Sequence, residues 1–128
     1  MTSPVSLDLA VIGNSNIAAL VDRGGRLVWA CWPRLDADPV FSALVDGDDP
    51  DSGFFSIDFD HDGTSEQAYL RNTAIVRTVH TDDRGASFAV TDFVPRFRQF
   101  GRVYRPLMIV RLGEPIAGLP RIRVKMRP

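Results

Sequence analysis

The sequence predicts an all-β fold, an antiparallel β-sandwich with little helix. Three observations carry that prediction: short apolar runs alternate with polar residues, clusters of Gly, Pro and Asp separate them, and no stretch shows an amphipathic helical repeat over three turns. Such spacing of short strands and turns is characteristic of stacked antiparallel sheets. The chain has 128 residues with 45% hydrophobic content, enough for one domain with its own core.

The elements follow in order. Leu7 to Ile12 reads as a first strand, closed by Gly13 and the polar turn Asn14-Ser15-Asn16. Ile17, Ala19 and Val21 then alternate with Ala18, Leu20 and Asp22; Asp22-Arg23-Gly24-Gly25 reverses the chain, and Arg26 to Trp32 returns. Paired glycines flanked by apolar runs are a strong hairpin signal, because a tight reversal needs positive φ. Pro33 ends the returning strand, since it has no amide hydrogen for a ladder. Pro33 to Pro39 is a charged loop held on that hairpin. Phe41 to Val45 fits one helical turn or a short strand, and Asp46 to Gly53 reads as a surface loop.

Gly53 to Phe59 predicts a strand with Phe55, Ile57 and Phe59 on one face, and Asp60 to Ser65 the next turn. From Ala68 a meander is expected. Tyr69 to Arg71 and Ala74 to Thr81 are extended, Asp82 to Gly85 turns, and Ala86 to Val94 returns. Arg96 to Gly101 reads as a polar loop, Val103 to Leu112 as a strand interrupted by Pro106, and Gly113 to Pro120 as a link. In the last strand Ile122, Val124 and Met126 alternate with Arg121, Arg123, Lys125 and Arg127.

Composition excludes several function classes. A net charge of -1 gives no bulk attraction to nucleic acid or anionic lipid. Cys31 is the single cysteine, so no internal disulfide forms, and beside Trp29 it reads as a small buried hydrophobe. Met1-Thr2-Ser3-Pro4 lacks a signal-type opening and no apolar run reaches membrane-spanning length, so a cytoplasmic location is expected. His61 and His80 are isolated, and no G-x-S-x-G, P-loop or G-x-G-x-x-G motif occurs.

Two blocks carry a resemblance. Ile12-Gly13, Ala18-Ala19-Leu20-Val21, Gly24-Gly25, Trp29, Pro33-Arg34-Leu35-Asp36 and Phe41 form the first, and Val90-Thr91-Asp92-Phe93-Val94-Pro95 the second. Their order and separation resemble the N-terminal domain of bacterial glycoside hydrolases of family fifteen, the glucoamylases, dextranases and trehalases. Leu35 replaces the family's aromatic, and Asn14-Ser15-Asn16 replaces a stretch that often carries Asp and Arg. The resemblance implies that residues 1–128 are part of a supersandwich at the N-terminus of a longer hydrolase. The catalytic helical barrel, with both catalytic glutamates, would lie downstream. No catalytic residue, no metal and no cofactor is then expected in this chain. The sugar partner, an α-glucan or a trehalose-type substrate, would be reached through that barrel.

Trp32, Arg34 and Asp36 offer an aromatic face, a cation and a carboxylate, a set suited to sugar hydroxyls at the barrel entrance. The other reading is that Arg34 pairs with Asp36 or Asp38 to shape the loop and Trp32 is core. Asp58, Asp60 and Asp62 before Gly63 match the first half of a calcium loop, a weak cation site, though Tyr69 stands where a closing Glu belongs. Asp60-His61-Asp62-Gly63-Thr64 also spells the motif of haloacid-dehalogenase-type phosphatases, which needs a parallel sheet with crossover helices. A free-standing β-sandwich for binding or assembly is the remaining alternative. In either case an open sheet edge near the C-terminal end would invite a homodimer.

Overall fold

A computed structural model describes residues 8–45 and 52–128. The beginning of the expected first strand at Leu7 and most of the acidic loop from Asp46 lie outside the described residues. Within them the chain is all-β and antiparallel, and the non-strand regular element is a single 3₁₀ turn at Ala43–Val45.

The strands are β1 (Ala10–Gly13), β2 (Ala18–Val21), β3 (Leu27–Cys31), β4 (Pro39–Phe41), β5 (Phe54–Phe59), β6 (Gly63–Tyr69), β7 (Val76–Asp82), β8 (Ser87–Phe93), β9 (Phe97–Gln99), β10 (Arg102–Tyr104), β11 (Val110–Ala117) and β12 (Ile122–Arg127). One sheet runs β1-β2-β3-β5-β12, with β4 also on β3; the other runs β11-β8-β7-β6; β9 and β10 pair only with each other. Phe41 to Val45 resolves into both candidates, as the end of β4 followed by the 3₁₀ turn.

Two apolar clusters bind the sheets face to face. Ile12, Val21, Leu27 and Phe41 of the first sheet, with Ile17 just before β2, pack with Val76 of the second and Val94 just after β8, and Phe55 joins them. Ile57 and Phe59 pack with Ala86, Phe88 and Val90. Each large side chain so buried contributes about 1.5–3 kcal/mol relative to exposure. A third cluster, Val28, Ala43 and Phe54, covers the opposite side of β3 and β5 with the 3₁₀ turn. That explains why β3 reads as a near-continuous apolar run. Cys31 is free and buried, whereas Trp29 is only half-buried.

Three sequence expectations are corrected. Residues 63–69 form a full strand where a turn was expected to extend to Ser65. Its sequence is polar because β6 is the exposed edge of its sheet. Arg96 to Gly101 is not a loop throughout, because Phe97 and Tyr104 stack at 5.3 Å across the small β9–β10 hairpin. The link from Gly113 is likewise strand as far as Ala117. Pro115 is tolerated there because β11 is an edge, where a missing amide costs no ladder bond.

Polar anchors set the sheets' relative position. The Asn14 amide donates to the carbonyls of Pro95 (3.0 Å) and Pro106 (2.9 Å), while its oxygen accepts from the backbone of Asn16 and Ile17. Gly25, at φ 78°, turns the β2–β3 hairpin against β7. A Cβ there would meet Thr78 Cγ2 at 3.2 Å and His80 Nε2 at 3.3 Å, so the position requires glycine for both its backbone and its space.

Candidate functional site

The loop after β3 leaves the sheet at Trp32. Trp32 is 36% exposed, neither core nor fully free. Arg34 Nε and Asp36 Oδ1 form an ion pair at 3.3 Å with both side chains largely in solvent. The loop therefore uses its charges on each other, yet keeps them accessible. Beneath Trp32 lies an apolar cleft of about 320 Å³, walled by Val40, Phe41, Phe55, Ile109 and Met126. The combination of an aromatic rim, an apolar floor and a charged lip suits a ligand with both hydroxyls and C–H faces.

The acidic stretch occupies the crossing from β5 to β6, where the chain passes between sheets. Asp58 lies beside Arg123 (3.6 Å) and Asp60 beside Arg121 (3.6 Å). His61 is held between two carboxylates, Nδ1 to Asp60 Oδ1 at 2.6 Å and Nε2 to Asp82 Oδ2 at 2.9 Å. When protonated, the imidazolium donates to both. Asp82 was not singled out from the sequence. It lies 21 residues away and arrives through the Gly63–Asp82 pairing at the start of the β6–β7 hairpin. Its other oxygen accepts from the backbone of Arg84 and Ala86, which fixes the β7–β8 turn.

Asp58, Asp62, Thr64, Ser65 and Arg123 line an open cleft of about 380 Å³ next to this cluster. Among the described residues, no group of three His, Cys, Asp or Glu side chains is arranged to hold a metal ion. The phosphatase motif has the wrong setting. Asp60 follows a strand of an antiparallel sheet and its carboxylate is engaged by His61, whereas that chemistry needs a parallel strand and crossover helices.

Hydrogen bonding to Asp60, then to Asp82, raises the pKa of His61 above its ordinary value, and the same bonds lower both carboxylates. His80 behaves oppositely. It is 5% exposed, stacked on Phe88 at 4.7 Å, and its Nε2 has no partner among the described residues. Burial lowers its pKa. The signs then follow from linkage. The contribution of His61 is complete below about pH 6.5 and is lost as pH rises through its raised folded value. That of His80 is complete above about pH 6.5 and is lost as pH falls through its depressed folded value. Stability is therefore expected to peak near the ordinary histidine pKa. In urea unfolding across pH, His61→Ala should flatten the alkaline limb and leave the part of the acid limb that His80 sets, while the share of Asp60 and Asp82 at lower pH shrinks with it. An unchanged alkaline limb would show that the bridge contributes nothing.

The second sequence block proves to be structural. Asp92, fully buried on β8, meets Arg111 of β11, whose Nε donates to Oδ1 at 2.7 Å and whose Nη2 donates to Oδ2 at 3.2 Å. Arg111 also donates to the carbonyls of Phe55 and Gly25 across the sandwich, and its guanidinium lies 4.9 Å from the Phe55 ring centroid. The alternation of Phe88, Val90 and Asp92 was the available signal, since it places the carboxylate in phase with core residues.

Comparison with known proteins agrees with this architecture, for the trehalase-like N-terminal family matches residues 3–120. The chain belongs to that family. This trehalase-like N-terminal chain is also 31% identical over 111 residues to a trehalase of Thermoplasma volcanium, an alignment covering 82% of the chain. It spans only 17% of that relative's length. No solved structure matches it significantly. Among the described residues, no helix is long and apolar enough to cross a membrane.

Proposed function

We propose that this chain is the non-catalytic N-terminal β-sandwich of a longer glucoamylase- or trehalase-like glycoside hydrolase of family fifteen. In that role it packs on the catalytic barrel and helps shape its entrance. The observation that carries the reading is the family match over residues 3–120, joined to a trehalase relative about six times longer than the aligned segment.

The placement of the chain's two glutamates supports a non-hydrolytic role. An inverting glycosidase holds its two carboxyl groups about 6.5–9.5 Å apart. The two glutamates here, Glu66 and Glu114, stand in one line across the second sheet through Val79 and Ala89. Three strand spacings separate their backbones, about 14 Å. Glu114 is moreover engaged by Arg77 at 3.7 Å. The substrate-facing part of the proposal falls to Trp32, Arg34 and Asp36.

Arg34 is the cleanest probe. Its ion pair with Asp36 is solvent-exposed, and such pairs contribute at most about 1 kcal/mol. In the full-length enzyme, Arg34→Ala should raise KM for trehalose or an α-glucan about tenfold, the loss of one charge-assisted hydrogen bond. Melting temperature should barely change. An unchanged KM would remove this loop from the substrate path, and hydrolysis by residues 1–128 alone would overturn the non-catalytic role.

A further inference from the structure

Two buried polar atoms beside the acidic crossing have no hydrogen-bond partner among the described residues: Asp58 Oδ1 and His80 Nε2. An unpaired buried polar atom is costly, and each one in a native fold calls for a reason. Both residues line the cleft of about 380 Å³ described above. That cleft exists because β3 pairs with β5 at Leu27 and Phe55 alone, beyond which the β2–β3 turn leaves the sheet. Gly24 of the turn forms one wall, the end of β5 the other, and the inward-facing His80 of β7 the floor. The turn brings no side chain over the imidazole, since even a Cβ at Gly25 would come within 3.3 Å of Nε2. Apart from Arg123, the lining lies between positions 24 and 80, so the cleft owes nothing to the outer edge of the last strand.

The lining selects the ligand. A carboxylate only accepts, and a neutral imidazole nitrogen donates or accepts, so a hydroxyl, which does both, can bridge the two. Ser65 Oγ and Thr64 Oγ1 donate to backbone carbonyls at 3.2 and 3.4 Å and keep lone pairs for further hydroxyls. The Phe59 ring offers an apolar face to C–H groups. Asp58 and Asp60 already have Arg123 and Arg121 beside them, which disfavours a free cation, and the same carboxylates with Asp62 disfavour an anion. Arg123 Nε stands 3.6 Å from Asp58 Oδ1, too far for a hydrogen bond, and its side chain is 46% exposed. So loose a pair lets the arginine swing aside and open the way to Asp58. The volume falls within the range of small-molecule sites, about 300–1,000 Å³.

We infer that this cleft binds a small neutral polyhydroxyl compound, one hydroxyl of which bridges Asp58 Oδ1 and His80 Nε2 beneath a displaced Arg123 side chain. The site goes beyond the reading of the Trp32 loop, and the two clefts share no lining residue.

Titration of the 128-residue chain with glucose and with sorbitol, followed through amide resonances and the His80 imidazole, tests it. At least one of the two should shift Asp58, Thr64, Ser65 and His80 saturably, at the roughly millimolar concentration that ordinary ligand efficiency gives a ligand of this size. Tighter binding of glucose assigns the site to a ring sugar, and tighter binding of sorbitol to an open-chain polyol. Asp58→Ala, at a half-exposed position outside the core, should weaken binding at least about tenfold. Arg123→Ala should bind no worse than the parent, because it uncovers Asp58. Shifts that grow without saturating for both compounds would overturn the proposal, as would saturation by calcium or phosphate but by neither polyol. Loss of binding in Arg123→Ala but not in Asp58→Ala would do the same. Shifts confined to Trp32 and Arg34 would support the loop reading and overturn this one, so the two fail separately.

Discussion

Asp92→Ala is expected to destabilise the fold by about 3–5 kcal/mol, because it leaves a buried guanidinium without its counter-charge. The two side chains are 0% and 2% exposed, so water cannot take the carboxylate's place. Arg111 would keep the Phe55 and Gly25 carbonyls, which orient it without neutralising it. A loss of that size in a chain this long corresponds to roughly 10–20 °C in melting temperature. Asp92→Asn should fall between, retaining an acceptor but not the charge. The discriminating variant is Asp92→Ala with Arg111→Met. Removing both charges while keeping most of the arginine's volume should recover much of the loss, since a buried ion pair is worth little against well-packed apolar atoms. If the double variant is as unstable as the sum of the single ones, the pair's role is cross-linking the sheets through Arg111's carbonyl bonds rather than mutual neutralisation. Urea midpoints at constant m-value would measure all of these.

That ion pair also shows where the sequence was legible. Hairpins were readable because their information is local: alternation on both sides of Asp22-Arg23-Gly24-Gly25 and of Asp82-Asp83-Arg84-Gly85 is enough to place β2–β3 and β7–β8. β6 was not, because Gly63 to Tyr69 lies at a sheet edge where neither face needs a continuous apolar row. Burial at Asp92 was implied by its phase with Phe88 and Val90, but Arg111 is 19 residues away, and only the β8–β11 register selects it from the chain's other arginines. The same holds for His61 and Asp82. The Trp32–Asp36 group was visible as a loop, and its internal ion pair was one of the two readings available; the apolar cleft beneath it was not, since its walls come from β4, β5, β12 and the segment before β11.

Phe88→Ala is expected to cost about 3–5 kcal/mol, the range for deleting a buried aromatic side chain. Phe88 is 2% exposed and bridges the two sheets, meeting Phe59 edge-on at 4.9 Å and lying nearly parallel to the His80 ring at 4.7 Å. Truncation therefore removes contacts on both sides at once, and the neighbouring β7 and β8 backbones are too firmly paired to collapse into the space. Phe88→Leu should cost less, as it refills most of the volume without the ring geometry. A second readout separates lost packing from general loosening. Burial is what holds the His80 pKa down, so a cavity that admits water beside the imidazole should move it back toward the ordinary histidine value. It should also shrink the acid limb of the stability profile. An NMR titration of His80 in Phe88→Ala and Phe88→Leu would follow this directly. A small stability loss together with an unmoved His80 titration would mean that Phe88 does not lie between the sheets. The second core cluster would then have to be drawn differently.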